Sequence, residues 1–239
     1  MGLYLVQRVS TPIYMLNLDD GINSLIKDRL NKVNSDLAKI GLPIGILAVT
    51  KGQSIEKVLL SYRLGLRSFG ENYLQEALTK IPSLPKDTDW HFIGKIQKNK
   101  LKLITEHFNY IESVSDLETA IKINRYSEEL NKITNILLQL SQSSLRTGFK
   151  KDEIINIATK LNKMDAIRIK GIMVMPDVGL TDAELVNQFD NAYIIYKEMK
   201  KLIPQLECLS MGMSSDFHLA IESGSTQVRL GTTLYGARK

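Results

Sequence analysis

Short β-rich runs alternate with helical stretches along almost the whole chain, and this rhythm limits the possible folds more than any other property of the sequence. Ile22, Leu25, Ile26, Leu30, Val33 and Leu37 recur at a spacing near 3.6 residues and predict a leading helix that stops before Gly41. Strands are then expected at 46–50, 67–70, 90–94, 109–114, 135–141, 168–175, 207–211 and 226–230. Helices are expected between them, from Ser54 to near Gly65 and over 72–80, 98–106, 116–130, 151–162, 182–202 and 215–223. Ser115 with Glu118, and Thr181 with Glu184, have the spacing of capping boxes.

Alternation of this kind implies parallel strands joined by right-handed helical crossovers. The expected fold class is therefore α/β, a single closed (β/α)8 TIM barrel with an extra N-terminal helix. An open doubly wound sheet is the alternative, because a strand count does not prove closure. The length of 239 residues suits one barrel, a fold that typically needs about 250. Residues 1–18 read as an N-terminal tail and 19–239 as the barrel domain. Gln7, Arg8 and Pro12 interrupt the mildly apolar start, which has no signal-peptide core, and Met15 is an alternative initiator. Val6 breaks the myristoylation pattern after Gly2.

Composition excludes several classes of function. Cys208 is the single cysteine, which rules out an intrachain disulfide and a cysteine-based zinc site and fits a reducing, cytoplasmic location. His91, His107 and His218 are scattered, so no metal site is expected. No apolar run approaches the roughly 20 residues of a membrane helix. The net charge of +5 and pI near 9.1 raise the question of nucleic acid. The densest basic group, Lys95, Lys98, Lys100 and Lys102, lacks interleaved aromatics and reads as a solvated helix start, so no nucleic-acid partner is expected.

In a barrel, function belongs at the C-terminal ends of the strands. That rim reads Lys51, Glu71-Asn72, Gly94-Lys95, Ser113, Ser141, Met175-Pro176, Gly212-Met213-Ser214 and Gly231-Thr232. Lys51 closes the apolar run Ile46-Leu47-Ala48-Val49. A lysine at such a mouth is partly stripped of water, which favours the neutral amine that can condense with an aldehyde. Read alone, it is a solvated lysine at a strand end, as most lysines are exposed. Glycines and hydroxyls gather after strands 7 and 8, the usual barrel position of a phosphate. The competing reading is that Gly212 and Gly231 serve turns while Ser214 and Thr232 cap helices. A reactive amine facing a phosphate cup is the constellation that pyridoxal 5′-phosphate requires.

Several ordered blocks sharpen this. They are Leu47-Ala48-Val49-Thr50-Lys51, Phe69-Gly70-Glu71-Asn72-Tyr73-Leu74-Gln75-Glu76, and Trp90-His91-Phe92-Ile93-Gly94 with Gln97-Lys98-Asn99-Lys100. Further on come Gly171-Ile172-Met173 with Pro176, Leu209-Ser210-Met211-Gly212-Met213-Ser214 with Asp216, and Gly224-Ser225-Thr226 through Val228-Arg229-Leu230-Gly231-Thr232 to Gly236-Ala237-Arg238. From about residue 20 to the C-terminus the chain resembles the YggS/PROSC family, the pyridoxal phosphate homeostasis proteins. The resemblance implies a barrel like the alanine racemase N-terminal domain, generally without demonstrated enzymatic activity. It implies that Lys51 forms a Schiff base with the cofactor and that Ser214, Gly231 and Thr232 hold its phosphate. Arg229 would face the pyridine nitrogen, where a fixed cation weakens the ring as an electron sink. A structural ion pair across the barrel is the other reading of Arg229. Asn72 would line the cofactor face, or simply cap its helix.

Three positions depart from the family pattern: Arg146 where a lysine is often found, Ser141 where asparagine is common, and Lys95 where a smaller or non-basic residue is usual. Arg146 keeps the charge but cannot form an imine, which questions any hand-off of cofactor through that position. The expected function is binding, buffering and delivery of pyridoxal phosphate to apo-enzymes by a monomer with no catalytic residues. Racemisation needs acid–base groups on both ring faces. Tyr73, Tyr110, Tyr193 and Tyr235 read instead as core or helix-face residues, and nine residues after the last strand leave no room for the racemase second domain. A racemase of the same fold, and a phosphosugar-type barrel enzyme using Lys51, are the alternatives.

Overall fold

The computed structural model describes residues 20–143 and 146–237; the expected tail, 1–18, lies outside the described residues, as does the side chain of Ile22. Eight parallel strands close into a barrel in sequence order: β1 (Gly45–Val49), β2 (Ser68–Glu71), β3 (Asp89–Phe92), β4 (Tyr110–Val114), β5 (Thr134–Leu140), β6 (Ile167–Val174), β7 (Cys208–Met213) and β8 (Gln227–Leu230). Closure is made by β8 against β1, in a register running from Gly45 opposite Gln227 to Ala48 opposite Leu230. The open-sheet alternative is thereby removed. Helices outside and side chains inside bury both faces of a barrel strand, so the strands read as nearly continuous apolar runs. In β5, for example, Ile136, Leu137 and Leu138 are all fully buried.

The strands are flanked by α1 (Asp20–Ile40), α2 (Ile55–Arg63), α3 (Leu74–Lys80), α4 (Leu101–His107), α5 (Leu117–Glu129), α6 (Lys151–Leu161), α7 (Asp182–Leu202), α8 (Phe217–Glu222) and α9 (Thr232–Tyr235). α1 buries Ile26, Leu30, Val33 and Leu37, a stripe spaced by four, three and four residues. Leu25 departs from expectation: it is 55% exposed, because it lies off that stripe.

The capping box at Thr181 and Glu184 forms as expected, whereas the one at Ser115 and Glu118 does not. Asp116 caps α5 instead, accepting from the Thr119 backbone N–H and hydroxyl at 2.8 Å each. Glu118 turns outward to Lys98 and Lys122. A carboxylate is a stronger acceptor than a hydroxyl, so the aspartate one residue later takes the cap. α9, a single turn after β8, was not legible beforehand; its Leu234 and Tyr235 are buried, and it packs on α1.

Candidate functional site

Lys51 lies two residues beyond Val49, the last residue of β1, and the residues on either side of it are tied to a cluster of Lys80 with two glutamates. Lys80, on α3, donates to the Thr50 carbonyl at 2.7 Å, to Glu71 Oε1 at 2.7 Å and to Glu76 Oε1 at 2.6 Å. The Gly52 N–H donates to the same Glu76 oxygen at 2.6 Å. The backbone that presents Lys51 is therefore clamped before and after it. Thr50 Oγ1 adds a bond of 2.6 Å to Glu71. Burial pushes the Glu71 carboxyl above the usual glutamate value, against the opposing bonds from Lys80 and Thr50. Glu76 and Lys80 stand four residues apart on a helix, a spacing that could have flagged the pair.

One pocket at the C-terminal end of the barrel brings together all six residues expected at the site: Lys51, Asn72, Ser214, Arg229, Gly231 and Thr232. Its volume is about 280 Å³, close to the lower end of small-molecule sites at ~300–1,000 Å³. Val49, Ile93, Met173, Met175 and Met213 supply its apolar wall. Lys51 and Arg229 are the titratable side chains in the lining; no histidine, tyrosine or carboxylate joins them among the described residues.

Asn72 is not a helix cap, since α3 starts at Leu74 with Tyr73 as its cap residue. Its Oδ1 is buried and has no hydrogen-bond partner among the described residues. Gly94 seats the Asn72 backbone: a Cβ on Gly94 would lie 2.0 Å from the Asn72 carbonyl oxygen, so only glycine allows the approach.

Where β7 and β8 end, Ser214 Oγ accepts from the N–H groups of Gly231 at 3.2 Å and Thr233 at 3.1 Å. Ser214 does not cap the helix that follows it, α8, whose cap residue is Asp216; its hydroxyl instead meets the backbone N–H groups at the start of α9, at one corner of the pocket. Thr233, which the sequence did not single out, donates its hydroxyl to the Ser214 carbonyl at 3.3 Å. The two glycines differ. Gly212 has φ +92°, and a Cβ there would sit 2.6 Å from that of Ala220, so backbone and close contact both require glycine. Gly231 has φ −112°, and its nearest neighbour to an added Cβ is Val49 at 3.6 Å. What a side chain at Gly231 would take up is space in the pocket.

Arg229 is buried beneath this pocket. Its Nη1 donates to the Ser210 carbonyl at 2.7 Å and to Ser210 Oγ at 3.0 Å, and its Nη2 to the Val174 carbonyl at 2.8 Å. Ser210 Oγ in turn bonds Glu112 Oε2 at 2.8 Å. Glu112 also accepts from Gln227 Nε2 at 2.8 Å and faces His91 Nδ1 at 2.7 Å. β4 is adjacent to neither β7 nor β8, so the Glu112 bonds cross the lumen of the barrel. No direct ion pair forms between Arg229 and Glu112; a serine stands between them. Sequence reasoning missed Glu112, His91 and Gln227, because nothing in a linear pattern says which strand residues meet across a barrel.

Other rim residues are engaged elsewhere. Ser113 Oγ donates to the Gly94 carbonyl at 2.6 Å, and Ser141 Oγ to the carbonyls of Ser143 and Arg146 at 2.7 and 2.8 Å. Arg146 is held by the Pro176 carbonyl at 2.7 Å and by Asp177 at 3.3 Å, and is not part of the lining. Lys95 and the exposed Tyr73 border a neighbouring hollow, Tyr193 lies on α7, and Tyr110 stacks on His91 with ring centroids 4.2 Å apart. Tyr235 is buried and donates to Ser61 Oγ at 2.9 Å. Lys98 and Lys102 pair with Glu118 and Glu129 on the surface, as a solvated helix start should.

Residues 31–239 match the family model for the alanine racemase N-terminal domain. The pyridoxal phosphate homeostasis protein of Haemophilus influenzae is 30% identical over 230 residues, covering 93% of this chain and 97% of that protein. Its namesake from Synechocystis is 36% identical over 209 residues, covering 84% and 95%. This chain belongs to the YggS/PROSC family. Among solved structures, PipY of Synechococcus elongatus with PLP bound superposes with a TM-score of 0.80 at 34% identity, covering 88% of this chain and all of PipY. The family fold extends to the alanine racemase of Clostridium difficile, at a TM-score of 0.77 and 17% identity, a likeness of fold alone that takes in 57% of the racemase.

Proposed function

We propose that this protein binds pyridoxal 5′-phosphate covalently on Lys51 and serves its homeostasis inside the cell, buffering the free aldehyde and delivering it to apo-enzymes without turnover of its own. The observation that carries the reading is a single pocket lined both by a clamped lysine and by the Ser214–Gly231–Thr232 corner. The residues present fit the cofactor. The buried Asn72 Oδ1 is an acceptor with no partner among the described residues, and Gly231 brings its backbone to the lining without a side chain. When bound, pyridoxal phosphate supplies an aldehyde and an electron-withdrawing ring.

Lys51 would hold the cofactor through its aldehyde, and the apolar wall of Val49, Ile93 and the three methionines would limit the access of solvent there. Ser214, Gly231 and Thr232 would hold the phosphate, and Arg229 would supply a fixed positive charge beside the ring. Asn72 orients the ring face. Among the described residues the titratable side chains of the lining are Lys51 and Arg229, and racemisation would need acid–base groups on both faces of the ring. Relatives named as homeostasis proteins, and a PLP-bound relative that is matched over its full length, support the assignment to cofactor handling.

Loading the protein with pyridoxal phosphate, reducing with borohydride and digesting for mass spectrometry is expected to place the pyridoxyl group on Lys51. A trapped group on another lysine would overturn the site. Incubation of the loaded protein with D- or L-alanine is expected to leave the enantiomer unchanged, and steady racemisation lost in Lys51→Ala would overturn the non-catalytic reading.

A further inference from the structure

We propose that Glu112 is a positioning residue for Arg229, fixing the guanidinium from the opposite wall of the barrel and balancing its charge beneath the cofactor pocket. The inference rests on the placement of Arg229 at that pocket, and it begins with the hydrogens. Arginine has no acceptor, and the Gln227 amide nitrogen only donates; both point at Ser210 Oγ, at 3.0 and 3.1 Å. Both lone pairs of that hydroxyl are therefore taken, and its one proton must go to Glu112 Oε2, 2.8 Å away. Glu112 thus sets the rotor of Ser210, and the rotor decides whether Nη1 of Arg229 finds a lone pair or a proton.

The other Glu112 oxygen receives Gln227 Nε2 and His91 Nδ1, so the group accepts three bonds and donates none, as a carboxylate does. Burial pushes this carboxyl up, but the bond from His91 and the charges of His91 and Arg229 outweigh it and hold it below the ordinary glutamate value. The second His91 nitrogen, Nε2, is buried with no hydrogen-bond partner among the described residues. Glutamate and arginine then sum to zero inside the barrel. Two buried opposite charges joined by one hydroxyl form a unit in which removing either charge strands the other. The titratable groups around the unit are His91, Tyr110, Cys208 and Asp216.

A double-mutant cycle on the apoprotein tests the coupling without any cofactor. Glu112→Gln and Arg229→Gln should each lower the melting temperature, and the double variant should lose clearly less than the two losses combined. Strict additivity would overturn the pairing. The second test is a pH titration of the visible band of the loaded protein. Without the carboxylate, Arg229 is uncompensated and disfavours protonation of the bound chromophore. The midpoint in Glu112→Gln should therefore fall by about half a pH unit or more, and Glu112→Asp, which keeps the charge, should return toward wild type. An unchanged midpoint in Glu112→Gln would overturn the positioning role. A wild-type protein that stays colourless would instead sink the cofactor reading, leaving the apoprotein cycle to judge the pairing.

Discussion

Two lysines stand near the end of β1, and their surroundings could hardly differ more. Lys80 is 4% exposed, and its three protons go to the Thr50 carbonyl, Glu71 and Glu76. Lys51, half-buried, shares its pocket with an apolar wall of aliphatic and thioether side chains, with the Arg229 guanidinium and with Asn72 and several hydroxyls, and no carboxylate lines it among the described residues. A buried amine that is fully bonded to carboxylates is fixed as an ammonium partner. An amine between apolar walls can shed its proton and react. The same residue type thus serves as an anchor in one place and as a candidate nucleophile in the other, and the anchor holds the loop that carries the nucleophile.

The sharpest way to break this contrast is Lys51→Ala, which should abolish the borohydride-trapped adduct entirely. Lys80 should remain unmodified in both proteins, as read by peptide mass spectrometry; pyridoxylation of Lys80 would dissolve the distinction. Lys80→Met comes next. It leaves Glu71 as an unpaired buried carboxylate, at a cost of about 3–5 kcal/mol in chemical denaturation.

The pH dependence of that loss follows from Glu71, whose folded value already lies above the unfolded one because of burial. A carboxyl raised in the folded state keeps its full contribution below the unfolded pKa and loses stability as pH rises through the folded pKa. Removing Lys80 raises the folded value further. The deficit of Lys80→Met should therefore shrink as the pH is lowered below the ordinary glutamate range, where Glu71 is protonated in both states. A pH-independent deficit would count against the account.

Gly231→Val sharpens the comparison from the pocket side. Its Cβ meets only ordinary contacts, so the fold should hold, while pyridoxal phosphate affinity in equilibrium dialysis should fall by about tenfold or more as the corner fills. The smallest effect is expected for Thr50→Val. It removes the 2.6 Å bond to Glu71 but keeps the Thr50 carbonyl on Lys80, and should cost about 1–2 kcal/mol with little change in cofactor binding.

Much of this was legible in the linear chain. Apolar runs separated by 3.6-period stretches fixed the order and number of the barrel units to within one or two residues at most ends, and Lys51, Ser214, Gly231 and Thr232 could be assigned to strand ends from that order alone. Local competition was harder to read: Asp116 displaced Ser115 as a cap, and Asn72 stayed outside its expected helix. The single turn of α9 is too short for periodicity to register. Glu112 and His91 lay hidden for another reason. Each sits where an ordinary surface or strand residue would, and only its contacts with distant residues mark it.

By itself, then, the chain determined the alternation that makes a barrel and the residues that reach its rim, because both are local and periodic. The tertiary structure alone decided that the sheet closes, that β4 faces β7 and β8 across the lumen, and that a buried ion pair brackets Lys51. These are meetings between residues 9 to 115 positions apart, and they depend on the registers of strand against strand that no spacing along the sequence encodes.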